Sequence, residues 1–181
     1  MLLHLLGWLG LRETGEVVDA DWAGTWTKQS SHDPLTAHSR TGFIIMYAGC
    51  PIAWSSRMQP LIALSTTEAE YIALSSSLKI FLPLKWLINE IIEHTKCDKP
   101  ESTVLRSTVF KDNQSCHHLA TKQQITTRTR HLQTSFHWFW SHVGKEFNIV
   151  KCPTDQMSAD YLTKPMPKIL FENNRMRVQG W

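Results

Sequence analysis

The segment TVFKDNQSCHHLATK, residues 108–122, carries the pattern on which the fold prediction depends. Residues 108–111 are rich in β-branched and aromatic side chains and lead directly into Asp112, which predicts a strand that ends at an acid. Residues 114–122 are predicted to form a short helix after it. A strand joined to a helix in this way is typical of a sheet covered by helices, with the acid at the edge where ligand sites gather.

The remaining elements alternate along the chain in an α/β order. Residues 42–47 and 52–55 are two β-rich runs on either side of a short turn, which predicts a hairpin. An amphipathic helix is predicted from Thr67, and Pro83 should kink or end it. The other predicted strands are residues 16–19 and 147–151, and the other helices are residues 84–94, 131–143 and 157–162. The order β-β-β-α-β-α-α-β-α predicts a mixed five-stranded sheet flanked by helices.

Composition restricts the class of protein without identifying it. With 181 residues and 42% hydrophobic side chains, the chain is long enough for one globular domain with a real core. Its formal net charge of +3 permits a nucleic-acid partner but does not require one. The four cysteines form no CxxC pair and the nine histidines show no zinc-ligand spacing, so neither structural zinc nor disulfides are expected. The apolar residues 1–11 are too few to span a bilayer, and no membrane partner is expected.

Four acids lie inside short strings that suit a metal-binding carboxylate. They are Asp19 in DADWAG (residues 19–24), Glu70 in STTEAEY (65–71), Asp112 in KDNQS (111–115) and Asp160 in SADYLTK (158–164). Acids at strand ends and helix starts can converge at one edge of the sheet, where their mutual repulsion requires neutralising cations. The pattern therefore predicts a two-magnesium site of the kind that cleaves a phosphodiester backbone.

Each acid also has a purely structural interpretation, and the residues alone leave these alternatives open. Glu70 lies three residues after Thr67 and could be its partner in a capping box. Asp112 could belong to an ordinary turn after its strand, and Asp160 could interact with a helix dipole. The joint occurrence of all four strings favours the metal site.

Taken together and in this order, the four strings resemble the ribonuclease H domain at the C-terminal end of Ty1/copia-type retrotransposon Pol polyproteins. The resemblance runs from about Val17 to Trp181. It implies a ribonuclease H-like α/β fold over residues 17–164, with residues 165–181 as a C-terminal tail. It also implies that residues 1–16 are a shortened remnant of the connection to a preceding reverse transcriptase.

In the resembled family, two Mg²⁺ ions, or Mn²⁺ in their place, support hydrolysis of the RNA strand of RNA/DNA hybrids during reverse transcription. The resemblance implies that the catalytic residues are also the metal ligands: Asp19, Glu70, Asp112 and Asp160. The family's first strand ends on the first acid of its Asp-Ala-Asp string, so Asp19 is assigned to the metal and Asp21 is kept as a supporting residue. The implied partners are an RNA/DNA hybrid and the reverse transcriptase domain of the same polyprotein, in an intracellular, cytoplasmic particle.

Six residues are candidates for contact with the nucleic acid: Ser65, Thr66, Asn113, Gln114, Arg128 and Arg130. Groups before the Glu70 helix suit a hybrid's minor groove, where recognition depends on 2′-hydroxyls and shape. The pair after Asp112 would lie beside the substrate, with a solvated helix N-terminus as the alternative. The two arginines suit phosphate contact, with a solvated basic face as the alternative. Four tryptophans are expected in the core rather than stacked on bases: Trp54, Trp86, Trp138 and Trp140.

The first strand has the least support in the predicted fold. Only residues 16–19 suit a strand, and Gly15 directly precedes them. A short first strand that misplaces Asp19, together with the absence of a polymerase segment from these 181 residues, favours a rival hypothesis. In that hypothesis the chain is a catalytically decayed retrotransposon fragment that acts at most as a nucleic-acid-binding module. A 3′–5′ exonuclease of related fold is disfavoured, because such enzymes open with Asp-x-Glu and this chain has Asp19-Ala20-Asp21.

Overall fold

One mixed sheet organises the domain. The computed structural model describes residues 13–95, 105–125, 132 and 134–180. Its strands are β1 (Glu13–Asp21), β2 (Arg40–Tyr47), β3 (Cys50–Met58), β4 (Arg106–Lys111) and β5 (Asn148–Lys151). They lie in the order β3-β2-β1-β4-β5, with β1, β2 and β3 antiparallel and β1, β4 and β5 parallel. The predicted five-stranded α/β sheet and its hairpin are thereby confirmed.

Helices connect and cover the strands. They are α1 (Thr66–His94), α2 (Gln114–Lys122), α3 (Asp160–Thr163) and α4 (Lys168–Gln179), with 3-10 turns at Pro34–Ala37, Thr134–His142 and Thr154–Gln156. The bounds predicted for α2 are confirmed. The helix predicted at residues 131–143 has 3-10 geometry over its described part. The one predicted at residues 157–162 is reduced to the four residues of α3, because a separate 3-10 turn precedes it.

Strand β1 is longer than the sequence predicted. It has nine residues, and Gly15 lies inside it, opposite Met46 of β2 and Thr108 of β4. The strand tolerates this glycine because hydrogen bonds to a neighbour on each side hold the backbone extended. Residues 13–16, which were predicted to belong to a connecting remnant, lie in the central strand of the sheet.

Helix α1 is continuous through Pro83, so the predicted break is wrong. The 29-residue helix exposes Pro83 and buries Phe81, Leu82 and Lys85 on either side of it. One backbone hydrogen bond is lost at the proline, and the packing of the flanking turns on the sheet offsets that loss. By length and composition alone α1 could cross a membrane, but 56% of its most apolar window is buried inside the domain.

Apolar side chains are packed on both faces of the sheet. On one face, Val18 and Val109 pack with Leu74 and Leu78 of α1 in the main core. On the other, Val178 of α4 is buried with residues of β2, so part of the segment predicted to be a tail belongs to the core.

The tryptophan prediction is half right. Trp138 and Trp140 pack against the main core, whereas Trp54 on the edge strand β3 and Trp86 on an outer face of α1 are exposed.

Candidate active site

Three of the four predicted acids converge at one end of the sheet. Asp19 lies near the end of β1, Glu70 in the second turn of α1, and Asp112 directly after β4. One carboxylate oxygen from each lies within 4.8 Å of the other two. Asp19 and Glu70 are buried and Asp112 is partly buried, so their charges repel one another at short range with little screening by water.

Asp160, the first residue of α3, adds a fourth acid to this group through its interaction with Asp19. Burial, and then the negative charge of Asp19, raises the pKa of Asp160 to about 6, against a smaller opposing effect of Lys164. Lys164 Nζ lies 2.8 Å from Asp160 Oδ2, one turn along the chain. The other predicted residue nearby, Asp21, is partly buried at the last position of β1, and burial is also the main cause of its raised pKa.

Glu70 forms a buried ion pair with Lys111, the last residue of β4. The Lys111 ammonium donates to Glu70 Oε2 and, at 2.8 Å, to the carbonyl oxygen of Val18 in β1. Burial raises the pKa of Glu70 to about 7, although Lys111 opposes the shift. For Lys111, burial favours the neutral amine, but the charge of Glu70 leads the opposing effects that raise its pKa above the ordinary value. Lys111 therefore stays protonated and positively charged when Glu70 is ionised.

Ser65, rather than Thr67, caps the helix that carries Glu70. The Ser65 hydroxyl accepts a hydrogen bond from the backbone N–H of Glu68 at 3.1 Å, and Glu68 Oε2 accepts one from the N–H of Leu64 at 2.7 Å. The capping-box interpretation of Glu70 is therefore wrong, because the acid that bonds back to the start of the helix is Glu68, two residues earlier. Glu70 is left to face the sheet.

Two contacts hold the helices against the sheet beside the acids. Gln59 Nε2 donates to Thr41 Oγ1 and to the carbonyl oxygen of Ala69, which fixes the first turn of α1. Thr163 Oγ1 donates to Asp19 Oδ2 at 2.6 Å from α3. Helix α3 can approach this closely because Gly42, opposite Asp19 on β2, has no side chain. A Cβ there would lie 2.7 Å from Thr163 Cγ2.

The acids fit a divalent cation on two structural observations. Asp112 Oδ1 and Asp160 Oδ1 are both buried and without a hydrogen-bond partner, which is costly unless another ligand satisfies them. Carboxylate oxygens are the ligands that Mg²⁺ and Ca²⁺ prefer, and the acid cluster presents them from several elements. Among the described His, Cys, Asp and Glu residues, the group whose ligand atoms lie close enough together to hold a metal ion is the triad of Asp19, Glu70 and Asp112.

The six residues proposed for nucleic-acid contact lie in different situations. Thr66 and Gln114 are exposed beside the acids' helices, and Gln114 accepts a hydrogen bond from Lys151. The side chains of Ser65 and Asn113 cap α1 and α2, so each already has a structural role. Arg128 and Arg130 lie outside the described residues.

A basic cavity of about 330 Å³ borders the acid cluster on the α3 side. Arg40, Ser56 and Lys164 form the polar part of its lining, beside apolar residues such as Leu162 of α3 and Phe171 of α4. Arg40 Nη1 donates to Ser56 Oγ at 3.3 Å. Positive groups beside a cluster of acids can bind an anion such as a phosphate that also reaches the acids. The cavity joins the cluster through Lys164, which contacts both.

Several residues of the site were not predicted from the sequence. Lys111 had the clearest signal, because a lysine at the end of an alternating buried strand needs a buried partner. Gln59, Gly42 and Thr163 had no comparable signal, since each acts through a neighbour distant in sequence. Lys164 is the last residue of the SADYLTK string, and no role was predicted for it.

Comparison with known proteins places these features in context. No protein-family model matches the chain. The chain is 34% identical over 155 residues to the retrovirus-related Pol polyprotein from transposon TNT 1-94 of Nicotiana tabacum, a match that covers 85% of this chain and 10% of that polyprotein. The chain thus spans about a tenth of the length of the curated relatives it matches.

Two solved structures of one enzyme share the fold. LC11-RNase H1, isolated from compost, matches with a TM-score of 0.53 and 13% identity over 84% of this chain and 93% of that one. The same protein in complex with an RNA/DNA hybrid matches with a TM-score of 0.51 and 15% identity over 83% and 93% of the two chains. At these identities the likeness shows the fold alone.

Proposed function

The chain belongs to the Ty1/copia-type Pol family and has a ribonuclease H fold, and from this premise we propose that it hydrolyses the RNA strand of RNA/DNA hybrids during reverse transcription. The single observation that carries the proposal is the convergence of Asp19, Glu70 and Asp112, whose ligand atoms lie within 4.8 Å of one another. Three acids from β1, α1 and the end of β4 repel one another, and the single Lys111 ammonium does not balance their charge, so a further cation stabilises the arrangement.

The proposed reaction is a metal-assisted in-line displacement. When bound, two Mg²⁺ ions, or Mn²⁺, supply an activated water and stabilise the leaving 3′ oxygen. Asp19, Glu70, Asp112 and Asp160 would hold the ions, and the Thr163 hydroxyl fixes the Asp19 carboxylate. The products carry 5′-phosphate and 3′-hydroxyl ends, with no covalent intermediate on the protein.

The substrate is proposed to lie across the acid cluster and the basic cavity beside it. Arg40 and Lys164 can contact a backbone phosphate there. Thr66 and Gln114 are exposed and available for contact, and the proposed set also contains Ser65, Asn113, Arg128 and Arg130. The structural relative LC11-RNase H1 binds an RNA/DNA hybrid, which supports this class of substrate for a chain with the same fold.

In the proposed natural context, this domain is joined to a reverse transcriptase within a Pol polyprotein. The curated relatives are Pol polyproteins about ten times as long as the matched segment. Their length supports a reverse transcriptase domain of the same polyprotein as the partner. We propose that the domain comprises residues 13–180 rather than 17–164, a proposal supported by the start of β1 at Glu13 and by the contribution of α4 to the core.

One observation that favoured the rival hypothesis of a decayed fragment no longer supports it. That observation was a short first strand, whereas β1 is nine residues long and paired on both sides. The buried and partly buried acids, with two unsatisfied oxygens among them, support an active site.

The test is cleavage of an end-labelled RNA/DNA hybrid by the purified protein in Mg²⁺, compared with Asp112→Asn. We expect Mg²⁺-dependent cutting of the RNA strand alone, and its loss in Asp112→Asn because a metal-binding carboxylate becomes an amide. Asp155→Asn is the matched control, since it removes an exposed acid from a 3-10 turn and should cleave like the parent protein. A folded protein that binds the hybrid without cutting it would instead support the decayed module.

A further inference from the structure

Two lysines lie inside the acid cluster and alter its charge. Lys111 donates to Glu70 Oε2, and Lys164 lies 2.8 Å from Asp160 Oδ2. When Asp19, Glu70, Asp112 and Asp160 are all ionised they carry a charge of −4, and the two ammoniums carry +2, so the net charge of this group is then −2. That value matches one divalent cation rather than two.

Lys111 is held in the cluster more firmly than Lys164. Its side chain is 0% exposed, and a second hydrogen bond at 2.8 Å ties its ammonium to the carbonyl oxygen of Val18. An ammonium at this depth cannot leave its carboxylate without a large desolvation penalty. Glu70 Oε2 therefore uses one lone pair to accept from Lys111, which reduces what Glu70 can offer to a metal ion.

We propose that Lys111 is a resident cation of the metal site, which positions Glu70 and takes the place of a second divalent ion while no nucleic acid is bound. The inference rests on the proposed function and specifies how its metal site is filled. A second ion then binds when a substrate phosphate adds negative charge to the cluster. Lys111 acts through Glu70 and is a positioning residue rather than a catalytic one.

The experiment counts bound Mn²⁺ by electron paramagnetic resonance in the hybrid-free protein at pH 8. The parent protein is expected to bind one ion tightly. Lys111→Met keeps the length of the side chain and removes its charge, so it should bind a second ion and hold the first roughly tenfold more tightly or better. Lys79→Met is the matched control, because Lys79 is exposed on the face of α1 opposite Glu70 and its loss should leave the count at one.

Lys164→Met keeps the inference testable if Lys111→Met does not fold. Its ammonium is 42% exposed and is paired with Asp160, so its removal should tighten Mn²⁺ binding by a smaller factor. Two tight ions in the hybrid-free parent protein, or equal binding by the parent and by whichever lysine variant folds, would overturn the inference.

Failure of the inference differs from failure of the proposed function. If the parent and the lysine variants bind Mn²⁺ equally but Asp112→Asn does not bind it, the metal site stands and only the role of Lys111 falls. If no folded variant binds Mn²⁺ and the hybrid is not cut, the inference and the proposed function both fall.

Discussion

The Glu70–Lys111 pair and the Asp160–Lys164 pair belong to the same acid cluster but differ in burial. Lys111 is 0% exposed between β4, β1 and α1, whereas Lys164 is 42% exposed on the short helix α3. Burial raises the pKa of Glu70 to about 7 and that of Asp160 to about 6. A carboxylate–ammonium pair thus occurs twice at one site, once buried and once partly exposed to solvent.

The helices that carry the two acids differ in the same direction. Helix α1 has 29 residues and a Ser65 side chain that caps its N-terminus, while α3 has four residues and no side-chain cap. Glu70 is therefore held by a rigid element, and Asp160 is held through the contacts of α3 with β1 and β2. The Glu70 side of the site is thus part of the core, and the Asp160 side is attached to the core through α3.

Loss of each lysine should separate the two sides most strongly. Lys111→Met leaves the buried Glu70 without its partner and should reduce the free energy of unfolding by about 3–5 kcal/mol. Lys164→Met removes an exposed partner and should cost less than about 1 kcal/mol. Urea denaturation of both variants in EDTA measures the difference, and equal losses would show that burial does not distinguish the pairs.

The buried side should also make the metal-free protein sensitive to pH. Burial raises the pKa of Glu16, on β1 beneath α1, to about 8, an effect that Ser77 and Lys111 only partly oppose. Because its folded pKa lies above the ordinary value of 4.5, Glu16 stabilises the fold fully below that value, and this stability is lost as the pH rises towards 8. The loss is about 4 kcal/mol from this group, and Glu70 changes in the same direction.

Glu16→Gln should flatten that dependence, because glutamine imitates the protonated acid and does not ionise. In EDTA, urea denaturation at pH 5 should give similar free energies of unfolding for the parent and the variant. At pH 8 the variant should be the more stable one. A parent protein that is as stable at pH 8 as at pH 5 would contradict the role assigned to the buried side.

On the attached side, Gly42→Ala should displace α3. The new Cβ would lie 2.7 Å from Thr163 Cγ2 and 2.9 Å from Leu162 Cβ, so the helix must move. We expect a loss of about 1–3 kcal/mol in stability from overpacking. A shift of Asp160 by about an ångström should lower kcat/KM for hybrid cleavage by up to about 10²-fold.

Adding Thr163→Ser to Gly42→Ala tests that cause. Serine lacks the clashing methyl group but keeps the hydroxyl that donates to Asp19, so the double variant should recover part of the lost stability and activity. If the second substitution recovers neither, displacement of α3 is not the reason for the loss.

The smallest expected effect concerns the cap of α1. Ser65→Ala removes the acceptor for the Glu68 N–H and should cost about 1 kcal/mol. Thr67→Ala, two residues away and already inside the helix, should change stability by less than about 0.5 kcal/mol. Thermal unfolding of the two variants compares them, and a larger loss from Thr67→Ala would restore the capping box that the structure excludes.

Much of the fold could be predicted from local patterns. The hairpin of β2 and β3 follows from two β-rich runs about a turn, and α2 follows from its periodicity and capping residue. The errors occurred where tertiary contacts outweigh local signals. Gly15 is extended because β1 is paired on both sides, and α1 passes Pro83 because the turns on either side are buried.

The sequence by itself determined which residue types are present for the chemistry: four acids in separate strings, each at the predicted end or start of an element. Local spacing is enough for that, because strand ends and helix starts are short-range features. Only the tertiary structure decided which groups share a charge environment, since Lys111, Thr163 and Gly42 meet acids encoded far from them. Burial depends on all the elements that cover a residue, so the difference between the two lysine pairs exists only in the folded protein.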